Sequence, residues 1–150
     1  MSSREQLVGS IQGLAAGAAD PRTLLAETAA LLQRERPHYT WVGVYLLEGN
    51  ELVLGPFVGK PTPHTRIPLN KGICGAAAST GKTVVVDDVQ ADPRYLACSL
   101  ETRSEIVVPI VRAGRVLGEI DIDSDAPAAF TEEDRRLLEA VAEILAGKIG

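Results

Sequence analysis

The fold is decided by residues 105–123, EIVVPIVRAGRVLGEIDID, where two runs rich in valine and isoleucine flank a short turn. Such runs favour strands, and a three-residue turn that ends in a left-handed glycine is a common hairpin connection. We therefore predict an antiparallel hairpin in which Val111 pairs with Arg115. The same register would pair Glu105 with Asp121.

Strand alternation places Asp121 and Asp123 on one face of this hairpin, and the predicted register adds Glu105 to that face. Three carboxylates in one patch repel one another unless water or a cation separates them. Two interpretations stay open. The face is solvated, as one face of an antiparallel sheet often is, or it forms a pocket for a small cation or ammonium with one carboxyl protonated. A two-residue turn would move Glu105 to the opposite face and weaken the second interpretation.

Other segments surround the hairpin with further strands. Residues 41–47 and 51–55 are rich in strand-forming side chains and form a second predicted hairpin around the turn 48–50. Residues 65–68 predict a short edge strand, which tolerates its proline, and residues 83–86 predict a buried strand.

Helices are predicted on both sides of the strands. The N-terminal part is helical, with Asp20 and Pro21 as a helix start and Pro37 as a stop, and Thr131 caps a final helix. A short helix follows Gly72. This order indicates an α+β fold, with an antiparallel sheet of about six strands and the terminal helices packed together on one face. No repeat or linker divides the chain, so residues 1–150 are expected to form a single domain.

Composition excludes several classes of function. A hydrophobic content of 45% is typical of a globular domain, and a net charge of −5 with a pI near 5.0 argues against binding nucleic acid. No apolar run approaches the roughly 20 residues that span a bilayer, and the N-terminus has no signal-peptide pattern. We therefore expect no membrane association and a cytoplasmic location.

Two cysteines are the candidate reactive groups. In a reducing compartment, Cys74 and Cys98 are either inert or used in thiol chemistry. Cys74 is predicted near a helix start, where the helix dipole would favour its thiolate, and Cys98 lies in an irregular segment that could cover a sheet face. His38 and His64 are far apart without a cysteine at ligand spacing, and no phosphate-binding loop is present, so we expect no metal and no cofactor.

Two aromatic residues are predicted on the same face of the first strand. Trp41 and Tyr45 are four positions apart, so their side chains point the same way. Most strand aromatics belong to the core, but two on one face could also wall a ligand pocket.

Several short motifs together resemble one known family. The chain is similar to the free methionine-(R)-sulfoxide reductases, which are single-domain GAF proteins. The matching segments are WVGVY (41–45), LVLGPF (52–57), RIP (66–68), GICG (72–75), LAC (96–98), SEIVVP (104–109) and DIDS (121–124).

This resemblance implies a fold and a set of site residues. It implies a GAF-like sheet with helices on one face and a ligand pocket under loops on the other. The implied roles are catalysis for Cys98 and Cys74, substrate binding for Glu105, Asp121 and Asp123, and aromatic walls for Trp41 and Tyr45. Many members carry a further cysteine where this chain has His64, so Cys74 is the only internal candidate for a resolving thiol.

The resemblance also implies an activity. It is the reduction of free L-methionine-(R)-sulfoxide through a cysteine sulfenic acid and a disulfide, which thioredoxin or a similar dithiol recycles. The resemblance leaves a homodimer open. The alternative is a GAF module that binds a small ligand or senses redox state without turnover.

Overall fold

The computed structural model describes residues 2–96 and 101–149. Within these residues the chain forms four α-helices, which are α1 (Ser3–Gly17), α2 (Pro21–Glu35), α3 (Gly72–Thr80) and α4 (Glu132–Ile149). It forms six strands, which are β1 (Trp41–Glu48), β2 (Glu51–Val58), β3 (Arg66–Pro68), β4 (Val84–Val86), β5 (Ser104–Arg112) and β6 (Arg115–Ser124). A single 3₁₀ turn, Val89–Ala91, follows β4.

The strands form one antiparallel sheet in the order β3-β2-β1-β6-β5-β4. The α+β class and the six-stranded sheet predicted from the sequence are confirmed. β3 lies at one edge, where the missing N–H of Pro68 is tolerated. β4 lies at the other edge, so its prediction as a buried strand is wrong. Its middle residue, Val85, is 38% exposed.

The two faces of the sheet have different partners. On one face, Ile106 and Val108 of β5 and Ile120 and Ile122 of β6 are buried against α1, α2 and α4, which form the main core. On the opposite face, α3 packs over β5 and β6 with a smaller apolar cluster. Because side chains alternate along a strand, the residues between these isoleucines point towards α3.

The terminal helices begin as the sequence predicts. Asp20 accepts a hydrogen bond from the Thr23 backbone N–H at 2.8 Å, with Pro21 as the first helical residue of α2. At α4, the Thr131 backbone N–H donates to the Asp134 carboxylate at 2.8 Å, and the Asp134 N–H faces the Thr131 hydroxyl. These caps satisfy N–H groups that a helix leaves without internal partners. None of the helices in the described residues has the length and apolar content needed to cross a membrane.

The hairpin of β5 and β6 has a different register from the predicted one. Arg112 pairs with Arg115, so the turn has two central residues, Ala113 and Gly114, at φ 51° and 78°. Both positive values are typical of a type I′ turn. Between Ile110 and Val111 the strand pairing shifts by one more residue, because Leu117 is an extra residue in β6.

The turn and the shift compensate for each other. The two-residue turn alone would put Glu105 on the opposite face from Asp121, but the extra residue moves the pairing by a second step. Glu105 therefore faces Asp123 and Val107 faces Asp121. The predicted pair Glu105–Asp121 is wrong, yet the prediction that the three acids share a face is correct.

Gly118 lies next to this register shift, where β6 passes so close to β1 that a side chain would not fit. A Cβ at Gly118 would lie 2.3 Å from the Tyr45 carbonyl oxygen and 3.1 Å from the Leu46 Cα, both in the β1 backbone. We expect Gly118→Ala to lower the free energy of unfolding by about 1–3 kcal/mol, because the central strands must separate. Denaturation in urea measures this change.

Gly147 supplies the matched control. It lies in α4, and a Cβ there would meet nothing within 4 Å. Gly147→Ala should raise the free energy of unfolding by about 0.4–1 kcal/mol by reducing the freedom of the unfolded chain. An unchanged urea midpoint in Gly118→Ala would contradict the close strand approach described here.

Candidate active site

Three acids lie together on the sheet face that α3 covers. Glu105 of β5 pairs with Asp123 of β6, and Asp121 lies two residues earlier on the same face of β6. Their exposed fractions are 6%, 2% and 5%, respectively. A solvated acidic face is therefore the wrong interpretation, because the three carboxyls are buried. The three carboxyls instead lie together in an enclosed site.

Two aromatic rings lie beside these acids. Trp41 of β1 pairs with Asp123 across the strands, Gly43 pairs with Asp121, and Tyr45 shares their face. The Trp41 ring folds onto Gly43, where a Cβ would lie 2.3 Å from the ring. A side chain at position 43 would displace the indole, so Gly43 allows the ring to cover this part of the sheet.

The same two rings hold the segment 59–65 over the site. The Trp41 indole N–H donates to the Lys60 carbonyl at 2.9 Å, and its ring stacks on Phe57 with centroids 5.6 Å apart. The Tyr45 hydroxyl donates to the His64 carbonyl at 2.7 Å. These bonds attach the loop to β1, and the loop forms one wall of the site.

Two adjoining cavities open between these walls, and Trp41 and Thr62 line both. The larger cavity, of about 300 Å³, has Asp123 and Lys60 in its wall. The smaller cavity holds about 20 Å³ and is lined by eleven of the described residues, among them Cys74, Glu105, Asp121, Tyr45 and His64. The small space has the volume of about one water molecule or one compact cationic group, whereas the larger one accommodates the rest of a small molecule.

Three ionisable groups of the small cavity lie close together. One polar atom from each of Cys74, Glu105 and Asp121 lies within 4.8 Å of the other two. None of the ion pairs in the described residues involves Glu105 or Asp121, and Asp121 Oδ1 has no hydrogen-bond partner among those residues. The charge must therefore be balanced by protons or by a cation, which could be a metal ion or an organic ammonium.

Protons balance part of this charge. Burial, followed by the charges of Asp121 and Asp123, raises the pKa of Glu105 well above its usual range. Burial also raises the pKa of Asp121, although a hydrogen bond with Glu105 opposes that change. Of this interacting pair, Glu105 holds the proton more firmly, and its neutral carboxyl can donate a hydrogen bond to Asp121.

Cys74 lies at the start of α3, as predicted, but its electrostatic environment is the reverse of the expected one. Burial raises the pKa of the Cys74 thiol, and the charges of Asp121, Glu119 and Glu105 raise it further. Both effects oppose the dipole of this nine-residue helix. The prediction that the helix start favours a Cys74 thiolate is therefore wrong, because it ignored the acids beneath the helix.

The second cysteine, Cys98, lies outside the described residues. The nearest described residue before it, Leu96, lines the smaller cavity. The nearest ones after it, Glu101 and Thr102, line the larger cavity. The prediction of Cys98 as the nucleophile therefore stays a prediction.

Sequence reasoning missed a fourth buried acid. Glu119 precedes Asp121 by two residues, pairs with Tyr45, and has no exposed surface. The alternation that placed Asp121 and Asp123 on one face also applies to Glu119, so the sequence contained the signal. His64 was considered only as a possible ligand for a metal, whereas it lines the small cavity.

Comparison with known proteins identifies the family. The model of the GAF domain family matches residues 20–149. This chain belongs to the GAF domain family. The free methionine-R-sulfoxide reductase of Escherichia coli is 39% identical over 89% of this chain and 82% of that protein, and its Saccharomyces cerevisiae counterpart is 38% identical over 94% and 82%.

A solved structure extends this GAF relationship to the whole fold. The free methionine-R-sulfoxide reductase of Neisseria meningitidis, solved in complex with its substrate, is 42% identical and matches with a TM-score of 0.93. The match covers 97% of this chain and 87% of that chain. Within the GAF family, this chain therefore belongs with the free methionine-R-sulfoxide reductases.

The buried acids of this GAF domain are expected to reduce its stability at neutral pH. Above the ordinary glutamate pKa of 4.5, the unfolded chain loses the Glu105 proton while the folded chain keeps it, so stability falls as the pH rises. Glu105→Gln should therefore raise the free energy of unfolding at pH 8 by about 0.5–2 kcal/mol, with a smaller gain at pH 5. Urea denaturation at both pH values measures the difference.

Glu143→Gln is the matched control, since Glu143 is exposed on α4 and its replacement should change stability little at either pH. A Glu105→Gln protein that is less stable than the parent at pH 8 would contradict the proton assignment.

Proposed function

We propose that this protein reduces free L-methionine-(R)-sulfoxide to methionine with a cysteine thiol. One observation carries the proposal: a thiol and three buried acids, with no described lysine or arginine paired to Glu105 or Asp121, face cavities walled by Trp41 and Tyr45. Such a site suits a small molecule that has a positive charge, an apolar chain and a group to be protonated. The reductases to which the chain is similar support the same activity.

The positive charge of the substrate is its α-ammonium. In the proposed complex, the Asp121 and Asp123 carboxylates bind this ammonium. The ammonium balances the charge of Asp121, which forms none of the ion pairs among the described residues. The apolar chain of the substrate packs against Trp41. A methionine sulfoxide within a polypeptide has an amide in place of the ammonium, so it would leave buried carboxylates without a partner. The site would therefore select the free amino acid.

The proposed chemical step uses Cys98 as the nucleophile. Its thiolate attacks the sulfoxide sulfur to form a sulfur–sulfur bond, and the S–O bond of the substrate breaks as the oxygen is protonated and leaves as water. A water molecule then attacks the Cys98 sulfur, the sulfur–sulfur bond breaks to release methionine, and Cys98 is left as a sulfenic acid. The substrate sulfur is reduced by two electrons and the Cys98 sulfur is oxidised by two, so the step needs no cofactor.

Glu105 is the proposed proton donor for this step. It is buried, its pKa is raised by burial and by its acidic neighbours, and it lines the cavity that also contains Cys74. A carboxyl that is neutral at pH 7 can protonate the departing oxygen before negative charge accumulates on it. Asp121 and Asp123 then remain available as carboxylates for the ammonium.

Recycling is proposed to use Cys74 and an external dithiol. Cys74 is a free thiol in the small cavity, and it would form a disulfide with oxidised Cys98. Thioredoxin or a similar dithiol would then reduce that disulfide. We propose that residues 1–150 act as one domain in the cytoplasm, where such reductants keep thiols available.

The alternative of a non-catalytic ligand-binding GAF module is less well supported. A cavity lined by Glu105 and Asp121 disfavours the phosphate group of a nucleotide.

Cys98→Ser tests the nucleophile. We expect turnover of free methionine-(R)-sulfoxide, coupled to a thioredoxin system, to fall by at least about 10³-fold, because a serine hydroxyl cannot form the sulfenic acid. The assay follows methionine by chromatography, with the S epimer and a peptide-bound sulfoxide as parallel substrates. Turnover at the parental rate in this variant would eliminate Cys98 as the nucleophile.

A further inference from the structure

The small cavity contains a set of side chains that is suited to a metal ion. The Cys74 sulfur and one oxygen from each of Glu105 and Asp121 lie within 4.8 Å of one another, and all three residues are buried. Carboxylate oxygens and a cysteine sulfur are both common ligands of Zn²⁺. Histidine and cysteine spacing in the sequence does not reveal this group, because its members come from α3, β5 and β6.

Asp121 supplies a second observation that points to a ligand. Only 5% of the residue is exposed, it lines the small cavity, and its Oδ1 atom has no hydrogen-bond partner among the described residues. A buried carboxylate oxygen without a partner is costly, so it calls for a bound cation or water. The cavity, at about 20 Å³, has room for one such particle.

The sulfur atom distinguishes between the possible metal ions. Mg²⁺ and Ca²⁺ prefer about six or more oxygen ligands, which two carboxyls do not supply. Cu(I) favours sets that consist mainly of thiolates and thioethers. Zn²⁺ accepts a sulfur together with carboxylate oxygens, and zinc sites with three protein ligands commonly keep water in the fourth position. The small cavity therefore fits Zn²⁺ best.

The elements that carry these ligands hold them close to the geometry that zinc requires. Ligand atoms of a tetrahedral zinc site lie roughly 3.3–3.7 Å apart, so the 4.8 Å limit leaves at most about 1.5 Å for side-chain rotation to close. α3 is held against the turn after β3, since the Ser79 hydroxyl donates to the Leu69 carbonyl at 2.8 Å. A Cβ at Gly75 would lie 2.8 Å from that same oxygen, so Gly75 allows this close approach.

We propose that Cys74, Glu105 and Asp121 bind Zn²⁺, with water as the fourth ligand, and that the bound ion excludes the substrate. The first part is independent of the proposed function, and the second part rests on it. On binding, zinc replaces the protons of the Cys74 thiol and the Glu105 carboxyl, which pass to solvent, and no atom is oxidised or reduced. The ion then occupies the groups that would donate a proton, bind the ammonium and resolve the sulfenic acid. Zinc is therefore a reversible inhibitor of this site.

Zinc binding is measured in Cys98→Ser protein, where Cys74 is the only thiol of the chain. Zn²⁺ is titrated against a chromophoric chelator, and Co²⁺ in its place reports a sulfur ligand through thiolate-to-metal charge-transfer absorption. We expect one zinc ion per chain. Adding Cys74→Ser or Asp121→Asn should weaken binding by at least about 100-fold, because even residues that merely support a ligand contribute about 10–100-fold. Cys74→Ser should also abolish the charge-transfer absorption.

Glu143→Gln, added to the same protein, is the matched control for the loss of one negative charge. Glu143 is exposed on α4, and its replacement should leave the zinc affinity within about twofold, because salt screens exposed charges. Excess Mg²⁺ should not displace the zinc, and displacement would contradict a site with a sulfur ligand. Circular dichroism of the metal-free variants separates the loss of a ligand from the loss of the fold.

Inhibition is measured as methionine release in a single turnover, without an added dithiol that would itself bind zinc. At a zinc concentration about ten times its dissociation constant, the half-saturating concentration of free methionine-(R)-sulfoxide should rise about tenfold, because two ligands compete for one site. Excess substrate and a chelator should each restore the rate. Methionine release by Cys74→Ser, which retains Cys98, should be insensitive to the same zinc concentration when compared with its own zinc-free rate.

The outcomes distinguish the zinc site from the proposed function. Zinc binding that survives both Cys74→Ser and Asp121→Asn would overturn the site, and so would loss of binding on Cys98→Ser alone. Zinc that binds at the site and leaves methionine release unchanged would overturn the exclusion of substrate. A parental protein that releases no methionine without zinc would refute the proposed function, whereas the titrations would still decide the zinc site.

Discussion

The structure depends on one constraint, the burial of a cluster of acids on a single face of β5 and β6. Glu105 shares that face with Asp121 and Asp123 because the extra residue in β6 offsets the effect of the two-residue turn. The opposite face supplies the compensating stability, since its isoleucines and valines pack against three helices. The large core therefore supports an acidic site that is itself unfavourable for folding.

The same constraint links the chemistry to the choice of substrate. Acids that are buried without basic partners bind a proton or a cation, and this site can use both. In the proposed function, a proton on Glu105 makes it an acid for the sulfoxide oxygen, while the remaining negative charge attracts the substrate ammonium. The aromatic side chains of Trp41 and Tyr45 hold the loop 59–65 beside the acids through hydrogen bonds to its backbone. Catalysis and selectivity for a free amino acid thus have one physical origin in the proposed function.

Local patterns in the sequence predicted the helices, most of the strands and the shared face of the acids. They failed where contacts distant in sequence decide the outcome. Ala113 adopts a positive φ that alanine rarely takes, so the sequence favoured a three-residue turn. The neighbours of Cys74 come from β5 and β6, so its position on α3 alone gave the wrong pKa direction. Strand alternation also puts Glu119 on the face of Asp121, but Glu119 lies outside the DID motif from which the acidic site was predicted.

The most direct test of the account compares free L-methionine-(R)-sulfoxide with its N-acetyl derivative in the same coupled assay. Acetylation removes the ammonium and retains the sulfoxide, the carboxylate and the side chain. The account predicts that kcat/KM falls by at least about 100-fold, since the buried carboxylates lose their cationic partner. Values within about threefold of each other would show that the acids do not recognise the ammonium, and would contradict the central claim.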